Sequence, residues 1–362
     1  MNQIVQFSHN YPFLVVLVSL TIGYLFMPVV IKIAKSYNFV VSPNKRTSHN
    51  GNVPNIGGLN IFISFLITVF LFSYEIIASL QFVLMGLFVI LIIGFIDDLI
   101  NIKASTKLLG ELVSGFFLIV IADIRLSNLH GFLGIYEIPI LLSYALSFFV
   151  FIVVVNAMNL IDGIDGLASG LGILYSLFFA IYFQFTNHLY LSIAAYTMVG
   201  SLIVFFIYNV FGSKSKIFMG DSGSLLLGYL FNVFVFSFCE MNANGDVPET
   251  YKMNAAPAVA FTILIVPLFD TLRVMGTRIK KGYSPFKADK NHLHHLLLLF
   301  GLKHRQVSFI LMSVSVFFIA LALIGRNFPN EVLVALVFVL CVILTKILWI
   351  LVGKKKAESL DK

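Results

Sequence analysis

Four groups of residues in this 362-residue chain have the types and spacing for phosphate or metal chemistry. The first is Asp97-Asp98, which closes the segment Gly94-Phe-Ile-Asp-Asp. A negative charge at a helix C-terminus opposes the helix dipole, and two adjacent ones oppose it more, so a cation, either a metal ion or a lysine, is expected beside them. The second is Asn156-Ala-Met-Asn159-Leu-Ile-Asp162-Gly163-Ile-Asp165-Gly166. Its Asn and Asp side chains offer donors and acceptors to a polar ligand such as a nucleobase or ribose, and its glycines let the backbone come close. A helix cap at Asp165 would account for one of these side chains but not for their density. The third is Phe218-Met-Gly220-Asp221-Ser222-Gly223-Ser224. Gly and Ser at a helix start present backbone N–H groups to phosphate, and an aspartate there suits a divalent cation held against that phosphate, although ordinary capping also places Asp at such a position. The fourth is His292-Leu-His294-His295, with Asp289, Lys290, Lys280, Lys281 and Lys287 close in sequence. Anion binding suits this cluster better than zinc, for which no Cys or fourth ligand is evident.

Weaker signals surround these four. Lys107 and Glu111 stand four residues apart and are expected to pair on one helix face, as are Asp270 and Arg273 three apart. Asn209 ends an apolar run, where it would face the Asp221 loop. Residues 44–58 carry Lys45, Arg46, His49, Pro54, Gly57 and Gly58, suited to a phosphate or a lipid headgroup, or simply to a basic loop beside a membrane.

The elements that must position these groups are membrane helices. The chain is 59% hydrophobic and 11% charged, with 38 Phe and a mean hydropathy of +0.97. A hydrocarbon core ~30 Å thick needs roughly 20 apolar residues per helix. About eleven such runs are present, near 11–34, 57–74, 80–97, 107–122, 141–158, 167–186, 189–209, 223–239, 256–277, 306–325 and 331–352. The expected fold is therefore an all-α polytopic membrane protein, a single integral membrane domain over 1–362, with the N-terminus outside and the C-terminus cytosolic. The first run is read as a retained helix, since no Lys or Arg precedes it and Lys32 and Lys35 follow. With eleven crossings, only Arg125, Lys252 and Arg326 of the 24 Lys and Arg lie outside. This positive-inside asymmetry accounts for the net charge of +7 and calls for no nucleic acid. The tail Lys354-Lys355-Lys356 suits anionic lipid. Cys239 and Cys341 imply neither a disulfide framework nor a cysteine metal site.

In that topology the loops 35–56, 98–106, 156–166, 210–222 and 278–305 share the inner face and gather the acids and histidines there. A short amphipathic helix is expected from about Asp289. A secondary transporter would instead put its polar residues at mid-membrane in interrupted helices, often within inverted repeats. Most acids here stand at run ends and no repeat is visible. Asp270 and Glu111, somewhat inside their runs, are the residues most consistent with a transporter.

Over about residues 40–300 the chain resembles the polyprenyl-phosphate N-acetylhexosamine-1-phosphate transferases, relatives of the phospho-N-acetylmuramoyl-pentapeptide transferase. The motif order is Pro54…Gly57-Gly58, Asp97-Asp98, Asn156…Asn159-Leu-Ile-Asp162-Gly, Asn209, Phe218-Met-Gly-Asp221, Asp270-Thr-Leu-Arg273 and His292-Leu-His294-His295. The His-x-His-His form resembles the N-acetylglucosamine-type branch, whereas the muramoyl branch has three consecutive histidines. The resemblance implies attack of undecaprenyl phosphate on a UDP-N-acetylhexosamine with release of UMP, a first membrane step of cell-envelope polysaccharides such as O-antigen. It implies a bacterial cytoplasmic membrane with the active site facing the cytosol. It implies Mg²⁺, or Mn²⁺ in its place, with Asp221 as principal ligand and Asp98 as a second. Asp97 and Asp98 would deprotonate or position the lipid phosphate, and His294 and His295 would lie beside the diphosphate with His292. Lys107 would meet phosphate, Asn159 and Asp162 would line the pyrophosphate site, Asp165 and Asn209 the uridine site, and Asn156 would be a further substrate-binding residue. The muramoyl branch carries a Lys just before its Pro…Gly-Gly segment. Gly51 and Asn52 stand there in this chain, which leaves Arg46 and His49 as the nearest basic side chains. A homodimer is the oligomer allowed for.

Overall fold

The computed structural model describes residues 10–41, 53–213, 215–283 and 292–360, and these are predominantly helical. Within a bilayer no water satisfies backbone N–H and C=O groups, so long apolar segments take the one local structure that bonds them internally. In chain order the helices are α1 (Pro12–Ser36), α2 (Gly57–Ser73), α3 (Ile77–Ile100), α4 (Ala104–Phe116), α5 (Ile140–Ile161), α6 (Leu167–Phe185), α7 (Leu189–Phe211), α8 (Gly220–Asn244), α9 (Ala256–Ile263), α10 (Ile265–Lys280), α11 (Leu293–Leu299), α12 (His304–Ile324) and α13 (Asn330–Leu360). They cover every apolar run of the sequence. Two short antiparallel pairs depart from the all-α expectation: β1 (Val40–Val41) with β2 (Val53–Pro54), and β3 (Asn128–Phe132) with β4 (Ile135–Glu137). The expected helix near Asp289 is observed as α11, while Asp289 itself lies outside the described residues.

Among the described residues nine helical segments are long and apolar enough to cross a membrane, or ten if α9 and α10, bent by 80° at Leu264, form one span. Eleven were expected. Part of the difference is the stretch Gly57–Ile100, helical throughout because a single 3₁₀ turn, Tyr74–Ile76, joins α2 to α3. Its two ends nevertheless meet. Gly58 lies against Ser222 and Gly223, and Gly94 against Asp221 and Ser222, at the start of α8, and the Phe62 and Phe88 rings are 5.0 Å apart, so α2 and α3 form a hairpin.

Helix α8 is the post of the bundle. Its most apolar stretch is 94% buried, against 17% for α13 at the periphery. Around it pack α2, α3, α5, α9 and α6. Helix association in lipid depends on close packing and interhelical hydrogen bonds rather than on hydrophobic exclusion, which selects small residues at crossings. A Cβ on Gly58 would sit 2.1 Å from the Gly223 nitrogen, and one on Gly94 would sit 2.6 Å from the Ser222 Cα. Away from the glycines, α1, α2 and α7 are tied by a buried hydroxyl knot in which Ser19 bonds Ser64, Ser201 and the Thr197 carbonyl. Large apolar side chains such as Phe13, Leu141, Phe309 and Ile350 point outward, as a lipid-facing surface requires.

These crossings give a direct stability contrast. Gly58→Ala should lower the melting temperature of the detergent-solubilised protein by several degrees. Gly276→Ala, on α10 with open space around its Cβ position, should leave it unchanged or raise it slightly, because Ala is the better helix former by ~0.5–1 kcal/mol. Equal melting temperatures for the two variants would contradict the close α2–α8 crossing.

Candidate active site

The start of α8 is held from outside the helix. Gly57 and Gly58 donate their backbone N–H groups to the carbonyls of Phe218 (2.9 Å) and Met219 (2.8 Å), and Phe218 N returns a bond to the Pro54 carbonyl (2.8 Å). This backbone clamp is the structural reason for the Pro54…Gly57-Gly58 pattern. At Gly220 the chain takes φ +72°, and a Cβ there would meet the Asp98 carboxylate at 2.5 Å. Asp98 is thereby brought onto the helix start, where Oδ1 accepts from Asp221 N (2.6 Å) and Asn55 Nδ2 (3.0 Å) and Oδ2 from Ser222 N (3.0 Å). Asp98 is thus an N-cap supplied by a different helix, satisfying donors that α8 leaves open. Its partner Asn55 gave no signal in the sequence beyond its place beside the Gly-Gly pair.

Asp97 and Asp221 meet at one cation. Lys107 Nζ lies 3.1 Å from Asp97 Oδ2, 2.5 Å from Asp221 Oδ2 and 3.4 Å from Asn159 Oδ1. Asn159 Nδ2 donates to Asp221 Oδ1 (2.8 Å) and to Ser224 Oγ (2.9 Å). Asp97 Oδ1 accepts from Ile102 N (2.7 Å) in the turn where Asn101 adopts φ +49° and ends α3. A lysine on the next helix, α4, thus supplies a cation beside the aspartate pair. The expected Lys107–Glu111 pair is not formed. Two carboxylates at the membrane edge draw the Lys107 ammonium away from the interior, and Glu111 instead accepts from Asn156 Nδ2 at 2.7 Å.

The loop 162–166 passes beside this junction. Asp162 lies deep yet keeps partial solvent contact. Burial raises its carboxyl well above the ordinary range, and the nearby charges of Asp221, Asp98 and Asp165 raise it further. Asp165 behaves oppositely. Burial would raise it, but hydrogen bonds from His304 and from Lys216 (2.7 Å) outweigh that and lower it. Lys216 and His304 were not singled out from the sequence, although Lys216 stands two residues before Phe218. Asn209 spends both ends of its amide on the backbone, accepting from Gly166 N (2.7 Å) and donating to the Ile217 carbonyl (2.8 Å). It ties the loop to the approach of α8.

Helix α11 brings the histidines to the same place. Gly163 lies directly against His294, since a Cβ at that position would be 2.4 Å from His294 Nε2. His294 is 1% exposed, and neither ring nitrogen has a hydrogen-bond partner among the described residues. Burial, and then neighbouring His295, lower it to about 3, so the ring is neutral near pH 7. The His294 and His295 ring centroids are 4.2 Å apart. His292 Nδ1 bonds Asp270 Oδ2 (2.9 Å), while Asp270 Oδ1 accepts from Arg273 (2.9 Å) and from Leu293 N (2.9 Å). The expected Asp270–Arg273 pair is formed, and the same carboxylate anchors the start of α11. Arg46, His49, Lys287 and Lys290 lie outside the described residues.

The ends of α3, α4, α5, α8 and α11 therefore converge, with four aspartates, one lysine and an unpartnered imidazole. No group of three or more His, Cys, Asp or Glu among the described residues forms a metal-holding set. Mg²⁺ asks for less than that, typically one or two carboxylates completed by water and substrate phosphate oxygens. Asp97 and Asp221, whose oxygens reach a common cation, supply hard donors of that kind.

Comparison with known proteins identifies relatives of the chain. Residues 80–238 match glycosyl transferase family 4. The chain is 30% identical over 288 residues to the undecaprenyl-phosphate alpha-N-acetylglucosaminyl 1-phosphate transferase of Escherichia coli (strain K12), covering 78% of this chain and 75% of that protein. It is 28% identical over 318 residues to the protein of the same description from Yersinia pestis, covering 86% and 84%.

Asp162 yields a pH-dependent test. A carboxyl raised by folding adds stability below its unfolded value of about 3.9 and loses that contribution as pH rises through the folded value. Asp162→Asn should therefore melt higher than wild type at pH 8, with the gap closing towards pH 4. A gap independent of pH would contradict the buried acid cluster.

Proposed function

Since the chain belongs to the polyprenyl-phosphate N-acetylhexosamine-1-phosphate transferases of glycosyl transferase family 4, we propose that it transfers N-acetylglucosamine 1-phosphate from UDP-N-acetylglucosamine to undecaprenyl phosphate. A phosphate oxygen of the lipid attacks the β-phosphorus of the nucleotide sugar. The bond between that phosphorus and the oxygen of the α-phosphate breaks, and UMP departs. The observation that carries this reading is the junction of Asp97, Asp221 and Asn159 on Lys107 at the end of a membrane bundle.

Two anions must approach. Unit charges 4 Å apart repel by ~4 kcal/mol at an effective dielectric of 20, and both reactants carry more than one. Lys107 offers an ammonium, fixed by Asp97 and Asp221, to the incoming phosphate. Asn159 orients Asp221 and keeps it aimed at the junction. Asp98 sets the start of α8 and so the position of Asp221. His294, neutral and free to donate or accept, faces the diphosphate across the 162–166 loop. Asp165 and Lys216, beside Phe218, lie on the nucleotide side. Mg²⁺, held by Asp221 with Asp97 or Asp98, would offset the phosphate charge when bound. Lipid phosphate is confined to the headgroup plane, which is why helix ends rather than mid-helix positions carry these groups.

We place the site on the cytosolic face of a bacterial inner membrane. Counting the α2–α3 hairpin as two crossings and α9–α10 as one makes eleven, which puts the C-terminus on the side of the site and the N-terminus opposite. The transporter reading is not supported: Asp270 is occupied by Arg273, His292 and the start of α11.

Purified protein given undecaprenyl phosphate, Mg²⁺ and a panel of UDP-sugars should release UMP with UDP-N-acetylglucosamine, and Asp221→Asn should abolish release while the protein remains folded at the assay temperature. Turnover retained in Asp221→Asn would contradict the metal assignment. In intact cells, an impermeant thiol reagent should label a cysteine placed at Asp246 and spare one at Lys303. The reverse labelling would overturn the orientation.

A further inference from the structure

Among the described residues, Glu111 is a buried carboxylate near the site that the reaction above leaves without a role. It is 1% exposed within α4, and no cation pairs with it among the described residues, because Lys107, one turn nearer the membrane edge, is bonded to Asp97 and Asp221. An acid inside a membrane helix is costly to maintain and marks a functional position by default. Its partner is Asn156. Lys107 and Glu111 lie on one face of α4, and Asn159 and Asn156 on one face of α5, so the helices are joined by two polar rungs: Lys107 Nζ to Asn159 Oδ1 (3.4 Å) and Asn156 Nδ2 to Glu111 Oε2 (2.7 Å). Asn156 Nδ2 also donates to the Ile152 carbonyl (3.0 Å). Both amide hydrogens are thus used, the amide has one orientation, and its carbonyl oxygen is left as the atom a ligand can meet.

We propose that Glu111 is a positioning residue for the transfer, acting as the acceptor that fixes Asn156 and, through the deeper rung, the register of α4 against α5 at which Lys107 and Asn159 meet Asp221. Glu111 touches neither substrate. Its effect falls on the alignment of the junction, and hence on turnover more than on nucleotide-sugar affinity. This role rests on the reaction proposed above.

The test compares kcat and KM for UDP-N-acetylglucosamine in wild type, Glu111→Gln, Glu111→Leu, Asn156→Ala and the Glu111→Leu/Asn156→Ala double variant. Losing one buried hydrogen bond corresponds to roughly 3- to 10-fold in rate. Glu111→Leu and Asn156→Ala should each lower kcat by about that factor with KM little changed. The double variant should be no worse than Asn156→Ala alone, since Glu111 acts only through that amide. Glu111→Gln, which keeps an acceptor oxygen, should stay within about twofold of wild type. Glu111→Gln as impaired as Glu111→Leu would overturn the proposal in favour of a charge or proton role. Single losses that multiply in the double variant, or an unimpaired Glu111→Leu, would also overturn it. If Glu111→Leu does not fold, Glu111→Gln and Asn156→Ala decide: near-normal and impaired turnover respectively support the role, and any other pair overturns it. Wild-type protein that releases no UMP would refute the reaction instead, so the two failures are told apart.

Discussion

The structure depends on one ammonium shared by oxygens from three helices. Lys107 of α4 meets Asp97 of α3, Asp221 of α8 and Asn159 of α5. At the edge of an apolar slab, unpaired carboxylates on neighbouring helix ends would repel one another and oppose the dipole of any helix they terminate. Removing either sign would leave the other charge partly buried and unpaired, a far more costly state than a paired surface charge. The same junction presents the mixture of positive charge and hard oxygen that a phosphate substrate with its divalent cation requires. In the proposed reaction, stability and chemistry therefore draw on the same atoms.

Around that junction the scaffold is rigid for reasons of packing. The Gly-Gly turn at 57–58 clamps the approach to α8 by backbone hydrogen bonds and close contact, and Asp98 completes the start of that helix from α3. Of two adjacent aspartates, Asp98 is thus spent on helix geometry and Asp97 on the cation. A division of labour follows between neighbours that look equivalent in the sequence: Asp98 decides where Asp221 points, and Asp97 decides what sits beside it. The histidine helix is fixed on the other side by Asp270, which bonds both the His292 ring and the Leu293 backbone.

Much of this was legible in the sequence. The apolar runs locate the helices, because their length is set by a membrane and not by tertiary context. The clustered Asp, Asn, Gly and His at run ends mark the candidate site, because such residues are otherwise costly there. Partners were less legible. Lys107 and Glu111 look like a helix pair from spacing alone, and only the position of Asp221, more than a hundred residues later, shows why the lysine turns elsewhere. Asn55, Lys216 and His304 escaped notice because each is an ordinary polar residue until folding sets it against an aspartate. Asn209, expected to face the Asp221 loop, does so through the Ile217 carbonyl, and its amide oxygen holds Gly166 N as well. The short β pairs and the π-helical turn Phe117–Ile121 left no periodic trace.

The most direct test is an experimental density map of the protein in a lipid nanodisc with UDP-N-acetylglucosamine and Mg²⁺. The account requires the diphosphate to lie between the tips of α4 and α8, within hydrogen-bonding reach of Lys107 and beside Asp221, with the His294 ring across the 162–166 loop. A nucleotide bound at the opposite end of the bundle, or helix tips that stand apart with Lys107 directed away from both aspartates, would contradict it.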